Sequence, residues 1–575
     1  MTGRILFLRR LFFLGLAALI LRLAFLQLLH GAAFRQLAER NRLRLIPEAA
    51  PRGLILDREG RRLAANRITF RVSAIPQDLP SATRSSGSPD RALVFAHLSR
   101  FVEVTPKDLE KRFQHQRTLP FVPAALITHV PKTTALRVEE ERLRLPGIVV
   151  EAVVHRHYPL GPTAAHLLGY LSQPTAEALP ALKPYGVTPK DLVGRTGLEG
   201  EFETVLRGQS GGAMIEVDHR ARQTRVVGAR QPQPGEPLTL TLDAQLQALV
   251  EERFGQQAGA AVVLNPKTGE VLAMVSVPVF EPEAFALQDQ AAVRRYLSDP
   301  RAPLMNRATH GTYVPGSIVK PITAMAALHH RLITPQSTTT CAGRLVIGDR
   351  AFHCWKRDGH GPLTLHEALM RSCNVYFMET GRRLGVDRLR QAFERVGLGR
   401  PTGWWRDEEA GHLPTRQRFT EGETALLAMG QGEILATPLQ VAVLASAIAN
   451  DGLLVTPWVV KAVGERPVGR PHVVPIGWAP EPLAAVRAGM LAVVNGPQGT
   501  GLKARSGRIR IAGKTGTAQT HVPGRPHGWF MGFCPFEDPV VAMAIVAEHG
   551  GSGGELPALI GKAVCEWVAG PGEHL

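Results

Sequence analysis

Three short stretches of this sequence carry residue types that could do acyl-transfer chemistry together. In Tyr313-Val314-Pro315-Gly316-Ser317-Ile318-Val319-Lys320-Pro321 a serine and a lysine stand three positions apart. On a helix that spacing puts both side chains on one face. A serine hydroxyl is a weak nucleophile until a base takes its proton. A lysine serves as that base when burial or a neighbouring positive charge lowers its pKa. Pro315-Gly316 marks a helix entry, and Ile322, Met325, Ala326 and Leu328 follow at helical spacing. Ser317 is therefore expected in or near the first turn, where free backbone N–H groups suit a developing oxyanion. Taken alone, such a pair occurs by chance on many helices.

Two further stretches complete the set. Ser372-Cys373-Asn374 follows a helical pattern over 365–371, and Lys514-Thr515-Gly516-Thr517 lies on a strand expected to start at Arg508. A hydroxyl donates and accepts at once, so Ser372 can pass a proton between Lys320 and a leaving amine. Asn374 can hold a substrate amide. Lys514 offers a positive charge for a terminal carboxylate, with Thr515 and Thr517 as hydroxyl donors. Gly516 lets a bound peptide approach the strand backbone. Singly, each has a bland reading: a helix-end serine, a β-forming threonine, a solvated lysine.

The sequence holds five cysteines. Cys341, Cys354 and Cys373, with His360, follow the spacing C-x12-C-x5-H-x12-C. A Cys₃His set is a well-formed tetrahedral zinc site of the structural type. Glycines at 343, 348, 359 and 361 would let the loop turn around an ion. A Cys341–Cys354 disulfide with Cys373 as a buried thiol is the alternative, and His353 or Asp358 could replace a ligand. Cys534 and Cys565 have no ligand partner nearby and read as small buried apolar residues.

Some framework must position these groups. The middle of the chain reads as helices, preceded by a hairpin (260–264 and 270–277) and followed by strands at 508–512, 529–533 and 540–547. A helix over 557–568 closes the pattern. Strands, helices, then strands point to an α+β sandwich. A strand over 238–242 and a helix over 245–254 follow the linker Gln231-Pro232-Gln233-Pro234-Gly235. Before it, 61–235 mixes short strands and helices, with a Ser/Gly/Pro-rich loop over 83–90. An apolar run over 11–29, interrupted by Arg22 and Gln27, is about the length of a membrane span. Arg4, Arg9 and Arg10 precede it and place the N-terminus in the cytoplasm. A cleaved signal peptide ending at Gly31-Ala32-Ala33 is the competing reading. A helix is expected to leave the membrane over 32–44. The 575 residues allow two to four domains, and the net charge of +17 favours anionic surfaces. No zinc-finger, RNP or basic-helix pattern is present, so no nucleic-acid partner is expected.

The motif trio S-x-x-K, S-x-N and K-T-G, in this order, is the joint signature of penicillin-binding proteins and class A β-lactamases. Cys373 stands where the usual second motif has Asp. With the N-terminal anchor, Pro51-Arg52-Gly53-Leu54-Ile55-Leu56-Asp57-Arg58, Gly194-Arg195-Thr196-Gly197-Leu198-Glu199 and His527-Gly528-Trp529-Phe530-Met531-Gly532-Phe533, the chain resembles class B penicillin-binding proteins over nearly its whole length. Within that class it looks most like the elongation-specific penicillin-binding protein 2 type. The resemblance implies an α+β transpeptidase domain of the serine β-lactamase-like kind, an antiparallel sheet flanked by helices, over 236–575. It would stand on an elongated mixed pedestal over 30–235, with an anchor over 11–29 and a cytoplasmic tail over 1–10. The resemblance also implies a peptidoglycan D,D-transpeptidase of the inner membrane, its catalytic domain periplasmic. Ser317 would take the acyl group of a D-Ala-D-Ala stem peptide, with the N–H groups of Ser317 and Thr517 as oxyanion hole, and β-lactams would acylate the same serine. Expected partners are stem peptides, the membrane, a shape or elongation glycosyltransferase and other elongation proteins. Some elongation-type relatives bind zinc in the cysteine loop, and Cys341, Cys354, His360 and Cys373 look equivalent to their ligands. Rival readings are a division-specific transpeptidase, a serine β-lactamase or D,D-carboxypeptidase, and a non-enzymatic sensor or scaffold.

Overall fold

The computed structural model describes residues 2–31, 43–80, 90–218, 223–404, 407–416, 418–520, 522 and 524–570. An α-helix, Thr2–Ala24, continues as a π-helical segment, Phe25–Leu29. The stretch Ile5–Leu29 is 25 residues long and apolar enough to cross a membrane. It starts inside the expected tail because Ile5 to Leu8 are themselves apolar. The helix expected over 32–44 falls outside the described residues as far as 42. Its last two positions are strand instead, since Leu43–Glu48 pairs antiparallel with Gly211–Val217. The 83–90 loop lies outside the described residues up to 89.

The chain forms two compact units that are not contiguous in sequence. The first comprises Met1–Arg52, Asn66–His155 and Arg207–Gly235, and the second Gly53–Ala65, Arg156–Leu206 and Glu236–Leu575. A single cut at 235 therefore does not separate them, because 53–65 and 156–206 pack with 236–575.

In the first unit, helices Arg91–Leu98 and Pro106–Gln116 are capped by the side chains of Asp90 and Thr105, which accept otherwise orphan N–H groups. Their apolar faces bury Phe95, Leu98, Leu109 and Phe113 with Val72 and Leu126 from strands. A separate antiparallel sheet joins Leu43–Glu48, Gly211–Val217 and Gln223–Arg230.

In the second unit, two of the marks that carried the resemblance prove structural. Glu199 accepts from Arg156 at 2.5 Å, both side chains are buried, and Arg156 also donates to the Gly53 carbonyl at 2.7 Å. Removing one member would strand a buried charge. Asp57, fully buried, accepts from the N–H groups of Glu59 and Arg61 and from the Arg61 guanidinium.

A five-stranded antiparallel sheet carries the second unit, in the order Val271–Val277, Gly259–Leu264, Val541–Ala547, His527–Cys534, Ala512–Ala518. All but the edge strand Ala512–Ala518 read as nearly continuous apolar runs because both faces are covered. Ala261, Val263 and Ile545 face helices Ala244–Phe254 and Leu556–Val568. Ala260, Val262 and Val546 face the core that holds Lys320–His329 and Pro438–Ala449. The last strand begins at Ala512, not at Arg508: Arg508 and Arg510 stay exposed, and burial starts at Ile511.

Cys534 and Cys565 are not separate apolar fillers; they form a disulfide across 31 residues. One ends a strand and the other sits on the closing helix, and the sheet's packing on that helix aligns them. Sequence spacing alone gives no sign of this. Closing a loop of that length is worth about 3–4 kcal/mol in the chain-entropy picture. A Cys534→Ala/Cys565→Ala variant is expected to unfold with that loss, read from the denaturant midpoint of the detergent-solubilised chain.

Candidate active site

The turn that carries Ser317 is a 3-10 segment, Gly316–Val319, leading into the helix Lys320–His329. Pro321 sits in the first turn, where its missing N–H costs nothing. Gly316 has φ +57°, and a Cβ there would stand 3.2 Å from the Thr517 carbonyl oxygen. Its N–H donates to the Gly430 carbonyl at 2.8 Å. The Trp529 indole N–H donates to the Val314 carbonyl at 3.1 Å. These contacts fix Ser317 beside the Lys514–Thr517 strand. A buttress behind it was missed from the sequence: the Tyr313 hydroxyl donates to Glu548 at 2.7 Å, and Arg307 donates to the same carboxylate oxygen at 3.0 Å. Tyr313 and Glu548 are 235 positions apart, so no local signal pairs them.

The second motif is delivered by a helix break. Helix Leu365–Met370 starts with a capping box between Thr364 and Glu367. It ends before Ser372, whose backbone is left-handed at φ +52°. The next helix, Asn374–Leu384, starts with Cys373 as its cap. A non-glycine residue held in this region is strained, and such strain gathers at functional sites. The effect is to present Ser372 and Asn374 on a sharp corner.

The three motifs meet at that corner. The Lys320 amine donates to the Ser372 carbonyl at 2.8 Å, to the Ser372 hydroxyl at 3.3 Å and to Asn374 Oδ1 at 2.8 Å. The Lys514 amine donates to the Ser372 hydroxyl at 2.8 Å and to the Thr515 carbonyl at 2.9 Å. Thr500 and Thr515 share a hydroxyl hydrogen bond of 2.6 Å. Ser317, Ser372, Asn374, Thr515 and Thr517 line one cleft of about 1110 Å³.

Both lysines are fully buried. Burial lowers the Lys320 pKa from the usual 10.5 to about 8, against an opposing pull from the Cys373 and Cys354 sulfurs. Lys514 is pushed well below its ordinary value, first by burial and then by Lys320. Two amines on one hydroxyl in a dry site disfavour double protonation. Lys514 therefore sits behind Ser372, and the hydroxyls of Thr515 and Thr517 form the polar wall of the cleft on that side. The Lys514 amine, expected from the sequence to offer a positive charge for a terminal carboxylate, is turned toward Ser372 and the Thr515 carbonyl.

The cysteine loop stands beside this corner. Cys341, Cys354, His360 and Cys373 bring one ligand atom each to within 4.8 Å of one another. His360 Nδ1 lies 3.5 Å from Cys341 Sγ and 3.6 Å from Cys354 Sγ. Donors around a tetrahedral zinc lie about 3.8 Å apart for thiolates at their usual bond length, so the set fits that ion. The three cysteines are free thiols, not a disulfide pair, and His353 lines the cleft instead. The Cys373 thiol holds Cys354 down to about 4, while that same hydrogen bond and burial push Cys373 up. Gly343 and Gly359, at φ +82° and +81°, let the loop close: a Cβ would stand 1.8 Å from the Arg357 carbonyl oxygen and 2.3 Å from that of Cys341.

A serine three positions before a buried lysine of lowered pKa, in a cleft whose second hydroxyl is held between two amines, defines an acyl-transferring active-serine protein. The comparisons give the family. Residues 259–566 match the penicillin binding protein transpeptidase domain, and residues 47–240 match the penicillin-binding protein dimerisation domain. The chain is 30% identical to the peptidoglycan D,D-transpeptidase MrdA of Acinetobacter baumannii, over 98% of this chain and 87% of that protein. It is 31% identical to the Escherichia coli K12 protein of that name, over 94% and 90% of the two chains. A Helicobacter pylori penicillin-binding protein (PBP2), solved in complex with MreC, superposes with a TM-score of 0.78 at 28% identity, covering 91% of this chain and 98% of that one. The chain belongs to the penicillin-binding protein transpeptidase family.

Proposed function

We propose that this protein is the elongation-type peptidoglycan D,D-transpeptidase of its cell. The observation that carries the reading is the Ser372 hydroxyl held between the Lys320 and Lys514 amines, in the cleft that Ser317 lines. Neutral Lys320 takes the proton of the Ser317 hydroxyl as its oxygen attacks the carbonyl between two terminal D-alanines. The N–H groups of Ser317 and Thr517 stabilise the oxyanion. The C–N bond breaks, and Ser372 passes the proton to the departing D-alanine amine. The ester on Ser317 waits for an amine of a neighbouring stem peptide. That amine attacks, its proton returns by the same route, and Ser317 is freed. Thr515 and Thr517 hold the terminal carboxylate, and Asn374 holds the peptide amide.

Cys341, Cys354, His360 and Cys373 would hold a structural zinc ion. Bound there, zinc supplies no reacting group; it fixes the backbone of Cys373 and so the placement of Ser372 and Asn374. The Cys534–Cys565 disulfide supports a catalytic unit outside the cytoplasm. Arg9 and Arg10, near the N-terminal end of the apolar helix, support the same orientation. An MreC-like protein and an elongation glycosyltransferase are the partners this reading assigns, the first by likeness to the Helicobacter pylori complex.

The test is the fate of penicillin on the purified chain. Intact-mass measurement should show one penicilloyl group on Ser317 that persists for hours. Turnover within seconds would assign the site to a β-lactamase.

A further inference from the structure

The cleft is larger than the donor's end requires. At about 1110 Å³ it lies just above the roughly 300–1,000 Å³ range of sites that enclose a whole small ligand, well beyond a dipeptide terminus. From Ser317, Thr515 and Thr517 it extends to Trp355 and Arg357 on the cysteine loop. Among the described residues that line it there is no aspartate or glutamate, and Arg357 is the single arginine or lysine. An incoming amine thus finds no carboxylate to hold it as an ammonium.

The far end is built, not merely open. Trp355 is 57% exposed, yet its indole N–H donates to the Arg371 carbonyl at 3.0 Å and its ring meets His360 edge-on at 5.1 Å. The Arg357 backbone is clamped by its carbonyl against Gly343. Its exposed guanidinium has no carboxylate partner among the described residues. A guanidinium presents a fork that matches a carboxylate with two parallel hydrogen bonds.

We propose that Arg357, beside the fixed Trp355 indole, forms a second anion subsite that binds a carboxylate on the acceptor peptide. This rests on the transpeptidase reading. Arg357 then determines which acceptor is used, and takes no part in acylation chemistry. The indole covers the apolar flank of the same peptide, and with no acid lining the cleft nothing there repels the incoming carboxylate.

The test uses the full chain in detergent, a D-alanyl thioester as donor and two amine acceptors. The acceptors are identical peptides except for one glutamyl group, a free α-carboxylate in one and its carboxamide in the other. Penicilloyl formation on Ser317 serves as the reference for each variant. Arg357→Gln should raise the half-saturating concentration of the carboxylate acceptor about tenfold and leave that of the carboxamide unmoved. Arg357→Lys should restore part of the difference. Arg350→Gln, which removes a charge outside the cleft lining, at the start of the strand Arg350–His353 that precedes Arg357, should behave as wild type. Equal use of both acceptors by the wild type, or an equal rise for both in Arg357→Gln, overturns the subsite. A wild type that hydrolyses the thioester without transfer to either amine overturns the transpeptidase reading and the subsite with it.

Discussion

Lys320→Ala is expected to slow acylation by penicillin about 10³-fold, and Ser317→Ala to abolish it. The two variants differ because one loses the proton acceptor and the other the atom that forms the bond. The pH profile separates Lys320 from a merely structural lysine. Its pKa is lowered to about 8 because burial penalises the ammonium. Only the neutral amine can accept the serine proton. In the wild type the acylation rate should therefore climb with pH up to about 8 and level off above it. In Lys320→Ala that rising limb should vanish. Stopped-flow acylation with a chromogenic β-lactam between pH 6 and 9.5 reads both effects. A wild-type profile that is flat across that range would remove Lys320 from the base role.

The second large effect concerns the cysteine loop. The purified chain is expected to carry close to one zinc ion, and Cys354→Ser to lose it. Cys373 lies between Ser372 and Asn374, so the two side chains that receive the Lys320 amine depend on the backbone the ion would hold. A displacement near 1 Å at a reacting centre costs about 10²-fold in rate. Acylation in Cys354→Ser should fall by about that factor, with Ser317 still able to react at long times. Metal analysis, with a count of thiols after chelation and denaturation, checks the premise: three thiols and one disulfide are expected. Two disulfides and no zinc would remove the metal site.

Much of this site was legible because its chemistry sits in short local patterns. The serine–lysine spacing needs only one helical turn, and the hairpin flanking Asn265 and the helix ending at Phe254 follow from period and turn residues. Groups brought together by tertiary packing were not legible. The disulfide joins residues whose flanks look apolar and ordinary. The Tyr313–Glu548–Arg307 buttress spans the catalytic unit. The inward turn of Lys514 depends on where Ser372 ends up, and that depends on a left-handed residue no pattern announces. The strand start at Ala512 was misjudged because Ile509 and Ile511 look β-forming, while the flanking arginines stay in solvent.

The alternation of the chain between its two compact units has a genetic consequence. Exchange of the catalytic half between two alleles by one crossover near codon 235 would import 236–575 without the matching 53–65 and 156–206. Ile55, Leu63, Leu198 and Leu206, all buried in that unit, would then face foreign neighbours. Mosaic variants that fold should carry breakpoints on both sides of these inserts, or inherit them together.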